Sequence, residues 1–262
     1  MKIEVLCSAM HQKDMKLQRE MNIDSDAVII NQCDREEYEE TNIRGCKVRM
    51  YSHNERGIGR SRNCALLHAS GDILLFADED IRYEDGYKDM VLREFEAQRS
   101  ADMIVFNIRA FGSQRFEHTI TKRHRIRFHN CLRYGAVRFA VRREALLRAN
   151  IAFSLLFGGG ALYSAGEDSI FISDCIKKGM RVYASPNVLC SVDMSESSWF
   201  KGYDEKYFSD KGALLYAIGG IKAYPYITLI TLKNFRQYKG SITLSAALRA
   251  AYRGIREFRN QK

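Results

Sequence analysis

Gly71-Asp72-Ile73-Leu74-Leu75-Phe76-Ala77-Asp78-Glu79-Asp80 is the stretch on which the fold is read. Its apolar run, Ile73 to Ala77, has the continuous Leu/Ile/Phe character of a parallel strand buried on both faces. The run stops at three acids. In open α/β sheets, ligands sit beyond the carboxyl ends of the strands, so the acids stand where a ligand would sit. Side chains alternate along a strand, which predicts Asp78 and Asp80 on one face and Glu79 on the other. Two neighbouring carboxylates resist joint ionisation. A hard cation such as Mg²⁺ or Mn²⁺ relieves that repulsion and is commonly held by one or two carboxylates plus substrate phosphates. The competing reading is a solvated acidic strand end.

Working outward, further strands and helices alternate around this one. Ile3 to Cys7, Asp26 to Ile30, Lys47 to Tyr51 and Asp102 to Phe106 read as strands, and Gly59 to Ala69 as a helix. Tyr87, Met90, Val91, Glu94 and Phe95 mark an amphipathic helix after the acids. A weaker helical pattern covers Asp14 to Met21, and Arg181 to Ala184 reads as a strand ended by Pro186. The alternation predicts a doubly wound α/β domain. Two prolines leave no Pro-rich linker, and there is no internal repeat.

The segment from Thr119 to Arg148 is strongly basic, and Glu144 is the only acid between Glu117 and Glu167. Such a run reads as a solvated face or as a wall facing a diphosphate-bearing partner. Phe157-Gly158-Gly159-Gly160-Ala161 follows, where glycines permit close approach to a ligand. Gly166-Glu167-Asp168 then opens a helix that Gly179 stops, with Lys177 and Lys178 in its last turn. Acids at a helix start complement the dipole, worth roughly 0.3–1 kcal/mol. That accounts for the acids but not for the glycines before them.

In order along the chain, four segments resemble glycosyltransferase family 2, inverting transferases of the GT-A fold. Gly57-Ile58-Gly59-Arg60-Ser61-Arg62-Asn63 resembles the family's Gly-x-x-x-Ala-Arg-Asn segment, with Ser61 for Ala. Gly71 to Asp80 resembles the strand carrying the D-x-D motif, and Gly166-Glu167-Asp168 the ED motif. Ser197-Ser198-Trp199-Phe200-Lys201-Gly202-Tyr203, with Lys206 to Lys211, resembles the active-site loop of polysaccharide-building members. The resemblance covers residues 1 to about 215 and implies a GT-A catalytic domain with a doubly wound mixed sheet flanked by helices, followed by a helical tail at 216–262.

It also implies transfer of a sugar from a nucleotide-diphosphate sugar, a UDP-sugar in first place, to an acceptor hydroxyl with inversion. Asp80, helped by Asp78, would hold Mg²⁺ or Mn²⁺. Ser8, Gln32, Asp34, Arg62, Asp78, Glu79, Lys201 and Lys211 would surround the donor, with Arg62, Lys201 and Lys211 lending positive charge to the leaving diphosphate; Lys206 reads as a solvated charge that keeps the protein soluble. Asp168 would be the general base and Glu167 its helper, an assignment that can be reversed. Gly158, Gly159, Gly160 and Trp199 would face the acceptor, a saccharide or lipid-diphosphate-linked saccharide of bacterial surface-polysaccharide synthesis. One departure concerns the nucleotide: many members end the second strand in paired Asp residues, and here it reads Asn31-Gln32-Cys33-Asp34. A Gln amide both donates and accepts, so base recognition is retained while the base stays open.

The formal net charge of +9 on 262 residues implies an anionic partner. Nucleic acid is disfavoured, because the basic residues have few interleaved aromatics and no recognised binding motif. Seven dispersed cysteines fit reduced thiols in the cytosol, and Met1 to Cys7 is too short and charged for a signal peptide. Gly212 to Leu232 is apolar but interrupted by Lys222 and Pro225. A spanning helix wants about 20 apolar residues, and a central Lys costs about 2.5–3.5 kcal/mol, so a span is not expected. Leu244, Leu248, Ala251, Ile255 and Phe258 recur at helical spacing beside Arg249, Arg253, Arg256 and Arg259. That pattern suits a helix lying on an anionic leaflet or one packed on the domain with a basic edge. The expectation taken is membrane contact through this tail, with the protein peripheral on the inner face of the membrane. The rival functions are a metal-dependent nucleotidyltransferase and a basic nucleic-acid-binding protein.

Overall fold

A computed structural model describes residues 1–112, 118–193 and 202–261. The first half of the chain runs β1 (Ile3–Met10), α1 (Leu17–Glu20), β2 (Asp26–Gln32), β3 (Glu37–Ile43), β4 (Cys46–His53), α2 (Ile58–His68), β5 (Ile73–Asp78), β6 (Ile81–Tyr83) and α3 (Tyr87–Ala97). Then come β7 (Met103–Phe111), β8 (His124–Ile126), β9 (Phe139–Arg142), α4 (Arg143–Ala149), α5 (Glu167–Lys177) and β10 (Val182–Asp193). Four helices close the chain: α6 (Glu205–Gly219), α7 (Ala223–Lys233), α8 (Phe235–Tyr238) and α9 (Leu244–Asn260).

Among the described residues the strands form one ten-stranded mixed sheet in the order β3-β4-β2-β1-β5-β9-β7-β10-β6, with β8 on β10. β4, β2, β1 and β5 are mutually parallel neighbours. β9 runs antiparallel between β5 and β7. The chain leaves β1 toward β2 on one side and returns through α2 to β5 on the other. The crevice beyond β1 and β5 is therefore a topological switch point, where open α/β sheets bind ligands.

The alternation read in β5 is seen in the core. Ile73, Leu75 and Ala77 pack with Leu17 and Met21 near α1 and with Val91 and Phe95 of α3. Leu74 and Phe76 pack on the opposite face with Ala65 of α2 and Phe171, Ile172 and Cys175 of α5. Burial of both faces is what a continuous apolar run demands.

Three local expectations change. β3, Glu-Tyr-Glu-Glu-Thr-Asn-Ile, carries no apolar run because it is an edge strand facing solvent. It pairs with β4 through the two-residue turn Arg44-Gly45, both at positive φ, the geometry that matches strand twist. β10 passes through Pro186 instead of ending there. The pairing with β7 shifts register between Ala184 and Val188, so the proline sits at an irregularity where no ladder donor is needed. The basic segment is neither a simple solvated face nor a wall. Buried Arg138 donates to the Phe106 and His118 carbonyls, Arg142 to the Ala101 carbonyl, and Arg123 binds Glu94. These arginines satisfy backbone and carboxylate oxygens around β7 and β9 and on α3, while Lys122, Arg125, Arg127 and Arg133 are exposed.

The tail corrects a larger expectation. The apolar stripe of α9 is consumed by the protein itself: Ala247, Ala250, Ala251, Ile255 and Phe258 are buried against α6 and its neighbours. Gly212 of α6 meets the Ala251 carbonyl and Gly254 of α9 meets the Ser209 carbonyl, with no room for a Cβ at either crossing. A face packed this closely is unavailable to a leaflet. The boundary drawn at 215 falls within α6. One helical stretch, Glu205–Lys233, is long and apolar enough to cross a membrane by length and composition. It is broken at Gly219–Gly220, and its first half, α6, lies against α5 and α9.

Candidate functional site

The register of the parallel strands builds the site's floor. Ser8 of β1 lies opposite Asp78 of β5, and Met10 opposite Gln32 of β2. These carboxyl ends open into a cavity of about 420 Å³ lined also by Glu79, Asp80, Gly57 and the glycines Gly159 and Gly160. β5 ends at Asp78, and Glu79 and Asp80 occupy the turn that follows. Strand alternation therefore does not extend past Asp78, and all three acids border the same cavity. Burial, then Asp78, pushes the Asp80 carboxyl up to about 6. Glu79 accepts from the Met10 amide at 3.2 Å and from Gln12 Nε2 at 2.6 Å, which ties the loop after β1 to the site.

The Gly-Arg-Asn segment occupies the start of α2, and its polar members other than the exposed Arg60 each have a task. The Gly57 amide donates to Gln32 Oε1 at 2.7 Å. Ser61 Oγ donates to Ser8 Oγ at 2.8 Å. Asn63 exchanges two hydrogen bonds with the Phe153 backbone at 2.9 and 2.7 Å, pinning the segment that leads to the Gly-rich loop.

Arg62 is the centre of this arrangement. It is 2% exposed. Nη1 donates to Asp168 Oδ1 at 2.6 Å and to Glu167 Oε1 at 3.1 Å; Nη2 donates to both Asp78 oxygens at 3.1 and 3.2 Å. The guanidinium lies 5.2 Å from the Phe153 ring centroid, and its Nε has no hydrogen-bond partner. Burial pulls its pKa down, but Asp78, Asp168 and Glu167 outweigh burial and hold it above the ordinary value. One side chain thus joins the acid at the end of β5 to the two acids at the start of α5, as the planar fork of arginine permits and a lysine would not.

Glu167 and Asp168 differ in environment. The Glu167 side chain is 12% exposed and that of Asp168 26% exposed. Burial, then Asp168, pushes the Glu167 carboxyl up, against the opposing pull of Arg62. Glu167 Oε2 also accepts from the Gly166 amide at 3.1 Å. Gly158 explains the glycines that dipole complementarity leaves unexplained. It sits at φ +104°, and a Cβ there would stand 2.8 Å from the Glu167 carboxylate and 2.6 Å from Ile58 Cγ2. The loop crosses directly over the acid, and Gly159 accepts from the Ile58 amide at 3.0 Å.

The remaining predicted residues fall as follows. Asp34 is exposed and paired with Arg56 Nη2 at 2.5 Å. Arg56, overlooked in the sequence, lines the cavity one residue before the Gly-Arg-Asn segment. Asn31 is buried and closes on Gln12 and Ser52, a structural duty. The Gln32 amide oxygen is used by Gly57, and its nitrogen has no hydrogen bond among the described residues. Lys206 is held by Asp210 at 2.9 Å and by the Leu162 carbonyl. Lys211 is half-buried on α6 with no ion pair among the described residues, and burial lowers its pKa. Trp199 and Lys201 lie outside the described residues.

Among the described residues no group of three or more His, Cys, Asp or Glu side chains gathers as a self-sufficient metal cage. The donor set nevertheless suits a hard cation. Asp78, Glu79 and Asp80 border one cavity with Arg62 on Asp78 alone, so a divalent ion sharing carboxylates with a diphosphate would offset the excess negative charge.

The model of the family described as "Glycosyl transferase family 2" matches residues 22–154. No curated protein matches the sequence. The fold is similar to that of S. aureus TarS 1-349 in complex with UDP-GlcNAc, with TM-score 0.65 and 12% identity over 92% of this chain and 74% of that one. It is also similar to the mannosyltransferase PcManGT from Pyrobaculum calidifontis in complex with GDP-Man and Mn²⁺, with TM-score 0.51 and 13% identity over all of this chain and 76% of that one.

Proposed function

The chain belongs to glycosyl transferase family 2, and from that premise we propose that it moves a sugar from a nucleotide-diphosphate sugar to an acceptor hydroxyl with inversion at the anomeric carbon. The observation that carries this reading is the Arg62 bridge. It sets the acids bordering the strand-end cavity and the acids of a helix start on opposite sides of one guanidinium. A displacement needs both: a place for the leaving diphosphate and a base for the incoming hydroxyl.

In this reading the donor occupies the cavity over Ser8, Gln32 and Asp78, with Asp34 and Arg56 at its rim. Gln32 offers its amide nitrogen to the nucleobase. UDP is the first nucleotide to try; the similar structures hold UDP-GlcNAc in one case and GDP-Man with Mn²⁺ in the other. Asp80 and Asp78 would hold Mg²⁺ or Mn²⁺, which when bound supplies Lewis-acid stabilisation of the diphosphate. Lys211 of α6 adds positive charge, and Lys201 is assigned the same role. Arg62 is reassigned from the diphosphate to the carboxylates, where it orients Asp168 and holds both oxygens of Asp78.

Asp168 acts as the base. It takes the proton of the acceptor hydroxyl as that oxygen bonds to the anomeric carbon, and the bond to the nucleoside diphosphate breaks on the opposite face. Its greater exposure suits contact with an acceptor, and the more buried Glu167 braces it and the Gly158 loop. The acceptor is a saccharide, in the favoured case one carried on a lipid diphosphate, approaching across Gly158–Gly160, with Trp199 assigned to contact it. Family membership favours sugar transfer over nucleotidyl transfer or nucleic-acid binding.

Two measurements test this. Thermal stabilisation by a panel of sugar nucleotides with Mn²⁺ reads donor binding, since a ligand of the folded state raises stability by RT ln(1 + [L]/Kd). Asp168→Asn should abolish transfer while leaving that stabilisation intact. Full transfer by Asp168→Asn removes the base assignment, and release of pyrophosphate in place of nucleoside diphosphate removes the reaction class.

A further inference from the structure

We infer that the outward face of α7 docks on the surface of an anionic lipid bilayer. This rests on the surface alone and not on the transfer chemistry. It moves the membrane contact from α9, whose apolar stripe is packed inside, to a helix whose stripe is not.

Pro225, Leu229 and Leu232 recur at i, i+4 and i+7, one face of a helix with about 3.6 residues per turn, and Ile221 stands in the 3₁₀ turn that leads into α7. Ile221 is 68% exposed, Leu229 62% and Leu232 49%, and Pro225 is exposed as well. Large apolar residues exposed singly are ordinary, but a contiguous stripe marks an interaction surface. The opposite face of α7 is fixed: Ala223, Ile227 and Thr231 are buried, and Tyr238 Oη donates to the Thr231 carbonyl at 2.6 Å. The helix is therefore held with its apolar stripe outward.

Charge selects the occupant. Lys233 ends α7 on one flank by helical spacing, and Lys222 caps the start of the helix. On the other, Tyr224 and Thr228 reach Tyr252 of α9, through a ring contact and a 2.5 Å hydroxyl–hydroxyl bond. Tyr252 borders a groove of about 510 Å³ lined by Arg249, Arg253 and Arg256. No acid occurs from Lys211 to Arg256. Glu205 lines the groove and binds Arg253 at 3.0 Å, and Glu257 lies 4.0 Å from the same guanidinium, which leaves Arg249 and Arg256 without an ion pair among the described residues. An apolar stripe between two cationic flanks suits the acyl boundary and the anionic headgroups of a leaflet. A second copy docked face to face would set cation against cation along both flanks. Eleven residues of α7 span only about 16 Å, against a hydrocarbon core of about 30 Å, so the helix lies in the interface rather than crossing it. α6 joins this layer to the site: Leu214 packs where Gly166 has no side chain, and Asp210 accepts from Ser164 at 2.6 and 2.9 Å.

The test is co-sedimentation of the full chain with vesicles of phosphatidylcholine alone and of phosphatidylcholine with one third phosphatidylglycerol, at low and high salt. Binding to the anionic vesicles only, weakened by salt, is expected. Leu229→Ser and the pair Lys222→Glu, Lys233→Glu should each lower partitioning about tenfold, with melting temperatures close to the parent. Leu67→Ser, at a still more exposed leucine on α2, should bind as the parent does. Equal binding to neutral vesicles, no binding, or an unaffected Leu229→Ser variant overturns the inference. So does a dimer in solution that Leu229→Ser dissociates, which would make the occupant a second copy. Donor-dependent thermal stabilisation of the same variants reports the transfer reading separately.

Discussion

Replacing Arg62 by Met removes the single cation on which three carboxylates converge. Met fills much of the stem's volume, so the loss is one of charge and hydrogen bonds rather than of packing. Breaking a buried ion pair from one side costs about 3–5 kcal/mol, because the partner is left buried and uncompensated. Asp78 and Asp168 retain 36% and 26% side-chain exposure and keep some water, which places the cost near the lower figure, about 3 kcal/mol. For a chain of this size that lowers the melting temperature by about 6–12 °C. The loss depends on pH. The Glu167 carboxyl is already pushed up by burial, and without Arg62 it rises further. A carboxyl whose folded pKa lies above its unfolded value destabilises the fold progressively as pH rises through the folded pKa. The gap between parent and Arg62→Met should therefore be small in mild acid and full above neutrality. Adding Glu167→Gln to Arg62→Met should recover part of the loss, and the cycle of four proteins reads the coupling directly. Thermal and denaturant melts across pH make the measurement. A melting temperature for Arg62→Met within about 2 °C of the parent at neutral pH, or a gap that shrinks as pH rises, would refute the bridging role.

Other perturbations probe single contacts. Gly158→Ala drives a methyl against the Glu167 carboxylate and Ile58 at a positive φ; a loss of about 1–3 kcal/mol is expected in denaturant melts, with transfer falling more steeply than donor binding. Gly254→Ala presses a methyl onto the Ser209 carbonyl, a backbone atom that cannot swing away, so α6 and α9 should separate, seen as faster proteolysis of the C-terminal layer. Glu94→Gln weakens the bonds from Arg123 and Asn187 by about 1–2 kcal/mol, discounted because Arg123 is largely exposed. Burial pushes the Glu94 carboxyl up, but Arg123 and the other donors outweigh burial and hold it below 4.5. That contribution is complete above the unfolded value and is lost as pH falls through the folded one, so parent and variant should converge in strong acid.

Much of the fold could be read from residue order, because it is written in local periodicity. The run Ile73 to Ala77 has no polar face, and both faces are buried in the structure. Gly166 and Gly179 bracket α5 as helix-end chemistry requires. The apolar spacing of Leu244 to Phe258 specified a helix with one buried face. Periodicity could not say what covers that face, since a leaflet and a neighbouring helix reward the same pattern; the close crossings at Gly212 and Gly254 decided for α6. β3 escaped because an edge strand exposed on both sides has no apolar signature. Arg62 could be named from its segment, but not its task. Asp78 lies 16 residues away, and Glu167 and Asp168 more than a hundred. A cation's role depends on which carboxylates the chain brings within reach, and only the switch-point topology, setting α2 against the ends of β1 and β5 and the start of α5, brought these three to one guanidinium.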